Sequence, residues 1–170
     1  QLPLHRALQD DATLGSIKLL VQGDRDAVLY PDYDDDALPL HVACYHHESS
    51  KVVDYLIGLD PNTLTAVDRE GNTALHLACR GAKYDTITLL LEKYGAVSVS
   101  QSNVCNKLPI HLLFESAVVT REDDTKYTES IFRLLRAYPD TLMMSEDIGQ
   151  QSKSESSTSH VVKKRKICTD

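Results

Sequence analysis

The sequence predicts an all-α solenoid of stacked helix-turn-helix repeats with projecting turns, and three observations carry the prediction. The phrases Leu2-Pro3-Leu4-His5, Leu38-Pro39-Leu40-His41, Thr73-Ala74-Leu75-His76 and Leu108-Pro109-Ile110-His111 recur with their histidines 36, 35 and 35 residues apart. Each copy is followed by apolar residues at i, i+3 and i+4. Short runs rich in Asp, Asn and Gly separate the copies. A fixed period of this size marks one supersecondary unit that cannot bury its apolar face alone and must stack on its neighbours.

Composition narrows the class. With 170 residues, 42% hydrophobic and 25% charged, the chain has room for one continuous core. Aromatic residues make up 6% and tryptophan is absent, so the core falls to Leu, Ile, Val and Ala, as in thin stacked helices. No apolar run approaches the roughly 18 residues of a membrane span, and no membrane contact is expected. The net charge of -7 is uneven: residues 151–170 carry five Lys/Arg against two Asp/Glu, which leaves -10 on residues 1–150. That sign is wrong for phosphate, so no direct nucleic-acid ligand is expected. Basic or mixed protein segments suit it better. Cys44, Cys79, Cys105 and Cys168 show neither CxxC pairs nor disulfide-dense spacing, which fits an intracellular compartment, cytoplasmic or nuclear. The sequence opens on Gln1, inside the first phrase, as expected of a segment of a longer protein.

Taken in chain order, each unit begins with a short first helix. Pro3, Pro39 and Pro109 stand at its start, where the missing N–H has no partner to lose and the fixed φ suits the helix. Small or apolar residues follow the histidine, Ala7-Leu8, Ala43-Cys44 and Ala78-Cys79, keeping one side thin enough for axes to approach to about 8–10 Å. The second helix carries the stripes Ile17/Leu20/Val21, Val53/Leu56/Ile57, Ile87/Leu90/Leu91 and Ile131/Leu134/Leu135, each on one face. Ser16, Ser49 or Ser50, Asp85 and Thr128 lie ahead of the stripes and are the expected N-caps.

Behind the stripes, Asp60-Pro61-Asn62-Thr63-Leu64 and Tyr138-Pro139-Asp140-Thr141-Leu142 stop the helix at proline and return a leucine to pack on it. The runs Asp32 to Asp36, Asp68 to Asn72 and Ser102 to Lys107 have turn chemistry and are the expected projecting fingers. The boundaries that result are an array over 1–148, in units of about 1–34, 35–69, 70–104 and 105–148, and a tail over 149–170.

The third unit, Asp68-Arg69-Glu70-Gly71-Asn72-Thr73-Ala74-Leu75-His76-Leu77-Ala78, resembles the ankyrin repeat, whose signature is Thr-Pro-Leu-His-x-Ala at a period of about 33. The resemblance extends over roughly residues 1–148. Leu2, Leu38 and Leu108 replace the threonine that can cap the helix and bond the histidine, an option Thr73 keeps. The fourth unit reads His111-Leu112-Leu113-Phe114 where alanine is expected, and 23 residues separate its histidine from Leu134, against 14 or 15 elsewhere. The added stretch, Val118 to Lys126, is polar toward its end and reads as a loop between the two helices.

The resemblance implies a noncatalytic protein–protein interaction module, a scaffold or adaptor segment that docks partners on a concave side made of finger tips and first helices. On that mapping Tyr33, Asp34, Asp35, Arg69, Glu70, Asn103 and Lys107 are the finger contacts. Arg6, Val42, Tyr45, Leu77, Arg80 and Leu112 are the inner-helix contacts. Tyr and Arg often dominate interface energetics, and the acidic run at Asp32, Asp34, Asp35 and Asp36 would steer a Lys/Arg-rich partner. The array is expected to be monomeric.

His41 with Cys44, and His76 with Cys79, stand three apart on one helix face, a spacing a metal ligand pair can use. The stronger reading is structural. The resemblance makes the histidine a ligand of turn backbone, the cysteine is a small core residue, and the first and fourth copies lack it. His46-His47-Glu48 reads as the loop between helices of the second unit. Without a phosphate loop, nucleophile elbow or specifying carboxylate pair, no enzyme activity, metal or cofactor is expected. From Gln150 a Ser-rich low-complexity stretch is expected to be disordered. Lys163, Lys164, Arg165 and Lys166 form a basic block consistent with a nuclear-import signal. Two further readings follow: a nuclear regulatory protein of this class, and the substrate-recruiting region of a larger enzyme.

Overall fold

The computed structural model describes residues 2–95, 98–117 and 124–137, and among them eight α-helices follow one another in pairs. The pairs are α1 (Pro3–Gln9) with α2 (Leu14–Gly23), α3 (Pro39–His46) with α4 (Ser50–Leu59), α5 (Ala74–Arg80) with α6 (Tyr84–Lys93), and α7 (Pro109–Ala117) with α8 (Asp124–Ala137). The first helices form one layer in which α1 packs on α3, α3 on α5 and α5 on α7. The second helices form the other, with α2 on α4, α4 on α6 and α6 on α8. No strand is present among the described residues. The expected tail, its basic block at Lys163 to Lys166, the Tyr138 to Leu142 turn and residues 118–123 of the added stretch lie outside the described residues.

The core is the sum of the stripes. Leu8, Ile17, Val53, Ile57, Ile87 and Leu113 have no exposed surface, and Leu56, Leu90 and Leu134 are at most 3% exposed. Each large aliphatic side chain buried this way contributes about 1.5–3 kcal/mol. Ala43, Cys44, Ala78 and Cys79 are fully buried between first helices. Their small volume lets the inner layer close up, and burial pushes both thiols well above their usual range. Proline ends α4 as expected: a 3-10 turn at Pro61–Leu64 follows, and Leu64 packs back on the core.

Helix starts depart from the expected caps. Thr13, not Ser16, caps α2, its hydroxyl accepting the Ser16 N–H at 3.3 Å. Ser49 is the N-cap residue of α4 but makes no side-chain cap bond. Asp85 lies within the first turn of α6, where a negative charge complements the helix dipole, and Thr128 lies inside α8. Helix α8 also absorbs Asp124, Thr125 and Lys126, read above as loop. The polar run is the outer face of an amphipathic helix: Thr125, Lys126 and Glu129 are exposed while Ser130, Ile131 and Leu134 turn inward at helical spacing.

Candidate interaction groove

The signature histidines of the first three helix pairs, His5, His41 and His76, tie each pair to the finger that follows. Leu38 N–H donates to His41 Nδ1 at 3.1 Å, so the ring hydrogen is on Nε2, which donates to the Ala66 carbonyl at 3.1 Å. His76 repeats the arrangement. Its Nδ1 accepts from Thr73 N–H at 3.2 Å and from the Thr73 hydroxyl at 2.9 Å, and its Nε2 donates to the Lys107 carbonyl at 3.1 Å. Thr73 thus bonds the histidine as the family pattern implies. His5 Nε2 donates to the Ala37 carbonyl at 2.9 Å. All three rings are fully buried, and burial holds His41 and His76 below the ordinary imidazole value of 6.5. The bonds that His41 and His76 accept need the neutral ring, whose Nδ1 lone pair a proton would remove.

The fingers are built on one repeated device. Asp32 Oδ1 accepts the N–H groups of Asp35 and Ala37 at 3.0 and 3.1 Å. Asp68 Oδ1 accepts those of Glu70 and Asn72 at 2.9 and 2.8 Å, and Asn103 Oδ1 those of Cys105 and Lys107 at 3.0 and 2.9 Å. A left-handed residue closes each turn: Asp36 at φ 54, Gly71 at φ 76 and Asn106 at φ 58. Gly71 is required twice over, since a Cβ there would also sit 3.1 Å from Val104 N. Successive fingers are joined by backbone, Arg69 N–H to Asp35 carbonyl at 2.8 Å and Val104 N–H to Glu70 carbonyl at 2.9 Å.

Between the first two fingers and helices α3 and α5 lies a groove of about 260 Å3. Val42 and Leu77 form its floor, Tyr45 and Arg80 rise from the ends of the helices, and Asp32, Asp35, Asp68 and Glu70 line the finger side. Arg80 pairs with Glu70 at 3.0 Å across it. Burial raises the Asp35 carboxyl above its usual value, and repulsion from Asp32 and Glu70 adds to the rise. His46 also lines the groove; burial and then the nearby Lys83 charge lower its pKa.

Asp35, Val42, Tyr45, Glu70, Leu77 and Arg80, all expected contacts, come together in this groove. The others do not. Tyr33 projects at 83% exposure, Asp34 is exposed, and Arg69 reaches back to Asp36 at 3.3 Å. Asn103 is scaffold, its Nδ2 donating to Asn72 Oδ1 at 2.8 Å. Lys107 pairs with Glu115 at 2.8 Å, and Arg6 with Asp10 at 2.7 Å. The expectation that Val42, Leu77 and Leu112 stand on an open helix face needs correcting: they are 6%, 8% and 6% exposed, Val42 and Leu77 because close-set inner helices flank them on both sides and leave only a sliver at the groove floor. Asp32, Asp68 and Gln9 also line the groove and were not among the expected contacts. The 36-residue recurrence of Asp32 and Asp68 at the start of the first two fingers was the available signal.

His47 belongs to the loop after α3, as expected for the second unit, and is buried there. Its Nε2 donates to the Ala12 carbonyl at 3.0 Å, and its Nδ1 accepts the Ser49 N–H at 3.0 Å. Among the described residues no group of three or more His, Cys, Asp or Glu is placed to hold a metal ion. None of their helices is long and apolar enough to cross a membrane.

Stacked helix pairs, backbone-linked fingers and a groove between the fingers and the first helices define a helical repeat protein that works by contact. The comparisons name the class. A family model described as ankyrin repeats, in three copies, matches residues 4–103, and the chain belongs to the ankyrin repeat family, whose repeats are protein–protein interaction modules. It is 34% identical over 95 residues to the E3 ubiquitin-protein ligase KEG of Arabidopsis thaliana. That match covers 54% of this chain but only 6% of the ligase. Its fold is similar to a chain in the crystal structure of the yeast ribosomal protein Rps3 in complex with its chaperone Yar1. The TM-score there is 0.63 at 18% identity, covering 80% of this chain and 91% of the other. The α7–α8 pair lies beyond the matched three copies and stacks on α5 and α6.

Proposed function

We propose that the chain is the noncatalytic recognition segment of an intracellular scaffold or adaptor, monomeric, and that it holds a Lys/Arg-rich segment of a protein partner on its concave side. The groove between the fingers and α3–α5 carries this reading, because its floor is apolar and its rim is lined by Asp32, Asp35, Asp68 and Glu70. Shape and sign select a cationic side chain with an aliphatic stem. The solved ankyrin-fold neighbour, from a complex of a chaperone with a ribosomal protein, supports a role in holding another protein. Affinity purification with quantitative mass spectrometry tests the proposal. A double variant, Arg69→Glu with Glu70→Lys, should lose the bound partner, whereas Lys51→Glu on the opposite layer should keep it. Identical binding by both variants would refute it.

A second reading is favoured by the E3 ubiquitin ligase relative: the same groove recruits the substrate of an enzyme whose catalytic part lies elsewhere in a longer chain. Partners recovered from cells would then gain ubiquitin when the full-length protein is expressed, and would not when the groove variant is.

A further inference from the structure

The rim carboxylates are not equivalent. Asp32 and Asp68 each spend Oδ1 on two N–H groups of their own turns, and Asp68 Oδ2 accepts from Asn72 Nδ2 at 3.0 Å. Asp35 gives only its backbone to the turn, donating to Asp32 and accepting from Arg69, which leaves its carboxylate to the groove. Glu70 Oε2 accepts from Asn72 Nδ2 at 3.1 Å and from Arg80 at 3.0 Å, so a guanidinium of the chain itself already occupies the rim. Both partners of that pair are about half exposed, 49% and 47%, and an ion pair so exposed is weak and exchangeable.

We propose that this groove is a socket for a single arginine side chain of the protein partner, its stem on Val42 and Leu77, its guanidinium beside Tyr45 and between Asp35 and Glu70, with Arg80 the resident cation that it displaces. The inference rests on the concave-side reading above and adds the identity of the anchor. Three features select arginine over lysine. Two carboxylates on one rim suit a planar fork of donors, a tyrosine ring offers a face for stacking, and a half-enclosed groove favours the less hydrated cation. Arg80 then acts as a built-in competitor. The fourth unit reverses the arrangement, with Lys107 on the finger and Glu115 on the helix, so the socket is confined to the first two fingers and fixes the register of a bound segment.

The test is a titration of the 15N-labelled protein with N-acetyl-arginine amide, followed by amide chemical shifts, beside N-acetyl-lysine amide and the uncharged N-acetyl-citrulline amide. Saturable shifts centred on Asp35, Tyr45, Glu70 and Arg80 are expected for arginine, several-fold weaker binding for lysine, and none for citrulline. Arg80→Met keeps the stem, removes the competitor and should tighten arginine binding several-fold. Glu70→Gln should weaken it by a similar factor, and the spectra themselves report that each variant is folded. Shifts spread evenly over remote acidic sites such as Asp24 and Asp26, equal binding of citrulline, or affinities unmoved by both variants would overturn the socket. If arginine amide misses the groove while the Arg69→Glu, Glu70→Lys double variant still loses the partner, the socket is wrong and the concave-side reading stands. If arginine amide fills the groove while that variant keeps its partner, the docking reading itself fails and the socket falls with it.

Discussion

The third and fourth helix pairs contain the same phrase in two settings. His76 is fully buried, accepts from two groups of Thr73 and donates to the Lys107 carbonyl of the next finger. His111 accepts the Leu108 N–H at 2.9 Å but is exposed, and no finger follows it among the described residues. Three residues on, Cys79 is fully buried where Phe114 is 46% exposed. The signature residue therefore has one local duty, closing the start of its helix, and one long-range duty that exists only where a further finger is stacked. Small side chains are needed where an inner helix has neighbours on both sides, and large ones are tolerated at the edge.

The sharpest way to break this comparison is to remove each histidine. His76→Ala leaves the buried Thr73 N–H without its ring acceptor, takes from the Lys107 carbonyl one of its two donors, the Asn103 N–H remaining, and opens a cavity, and should cost about 2–4 kcal/mol. His111→Ala should cost about 1 kcal/mol or less. Urea unfolding measures both, with the slope checked for loss of two-state behaviour; equal midpoints would show that the second duty contributes nothing. Next in size, Cys79→Phe forces a ring into a closed gap and should cost about 1–3 kcal/mol, whereas Phe114→Cys should stay within about 0.5 kcal/mol.

Acid should expose the same asymmetry. His41 and His76 have folded pKa values below 6.5, so the unfolded chain binds more protons than the folded one once the pH falls past that value. The stability they contribute is complete above about pH 6.5 and is lost as pH falls through the folded values. Urea midpoints measured between pH 7.5 and 5 should decline in the wild type and decline less in a His76→Gln variant; parallel curves would contradict it. A small effect is expected for Thr73→Val, which deletes one hydroxyl bond and leaves His76 the backbone N–H used in the second and fourth copies, at about 1 kcal/mol.

The helix pairs were legible because an apolar stripe at i, i+3, i+4 needs no knowledge of its neighbour. Helix starts were not: Thr13 and Ser16 are both good caps three residues apart, and the backbone alone decides which oxygen meets which N–H. The end of the added stretch, Asp124 to Lys126, misled for a related reason, since the exposed face of a helix and a polar loop share a composition. In the groove, Tyr45, Arg80, Asp35 and Glu70 were legible as finger and helix positions. Val42 and Leu77 were assigned to the right surface with the wrong exposure, because the flanking helices that cover them lie about 35 residues away in the chain.

By itself the sequence determined the repeat, the two helices of each unit, the order in which units stack, and the turns whose left-handed residues fall at Asp36, Gly71 and Asn106. These are properties of local backbone preference and of which face is apolar, and both are written within one period. The tertiary structure alone decided which carboxylates are consumed by their own turns, which face the groove, that Arg80 sits on Glu70, and that His76 is tied to a following finger while His111 is not. Those outcomes depend on which groups the folded turns and stacked helices bring within about 3 Å of one another, and packing fixes such distances where periodicity cannot.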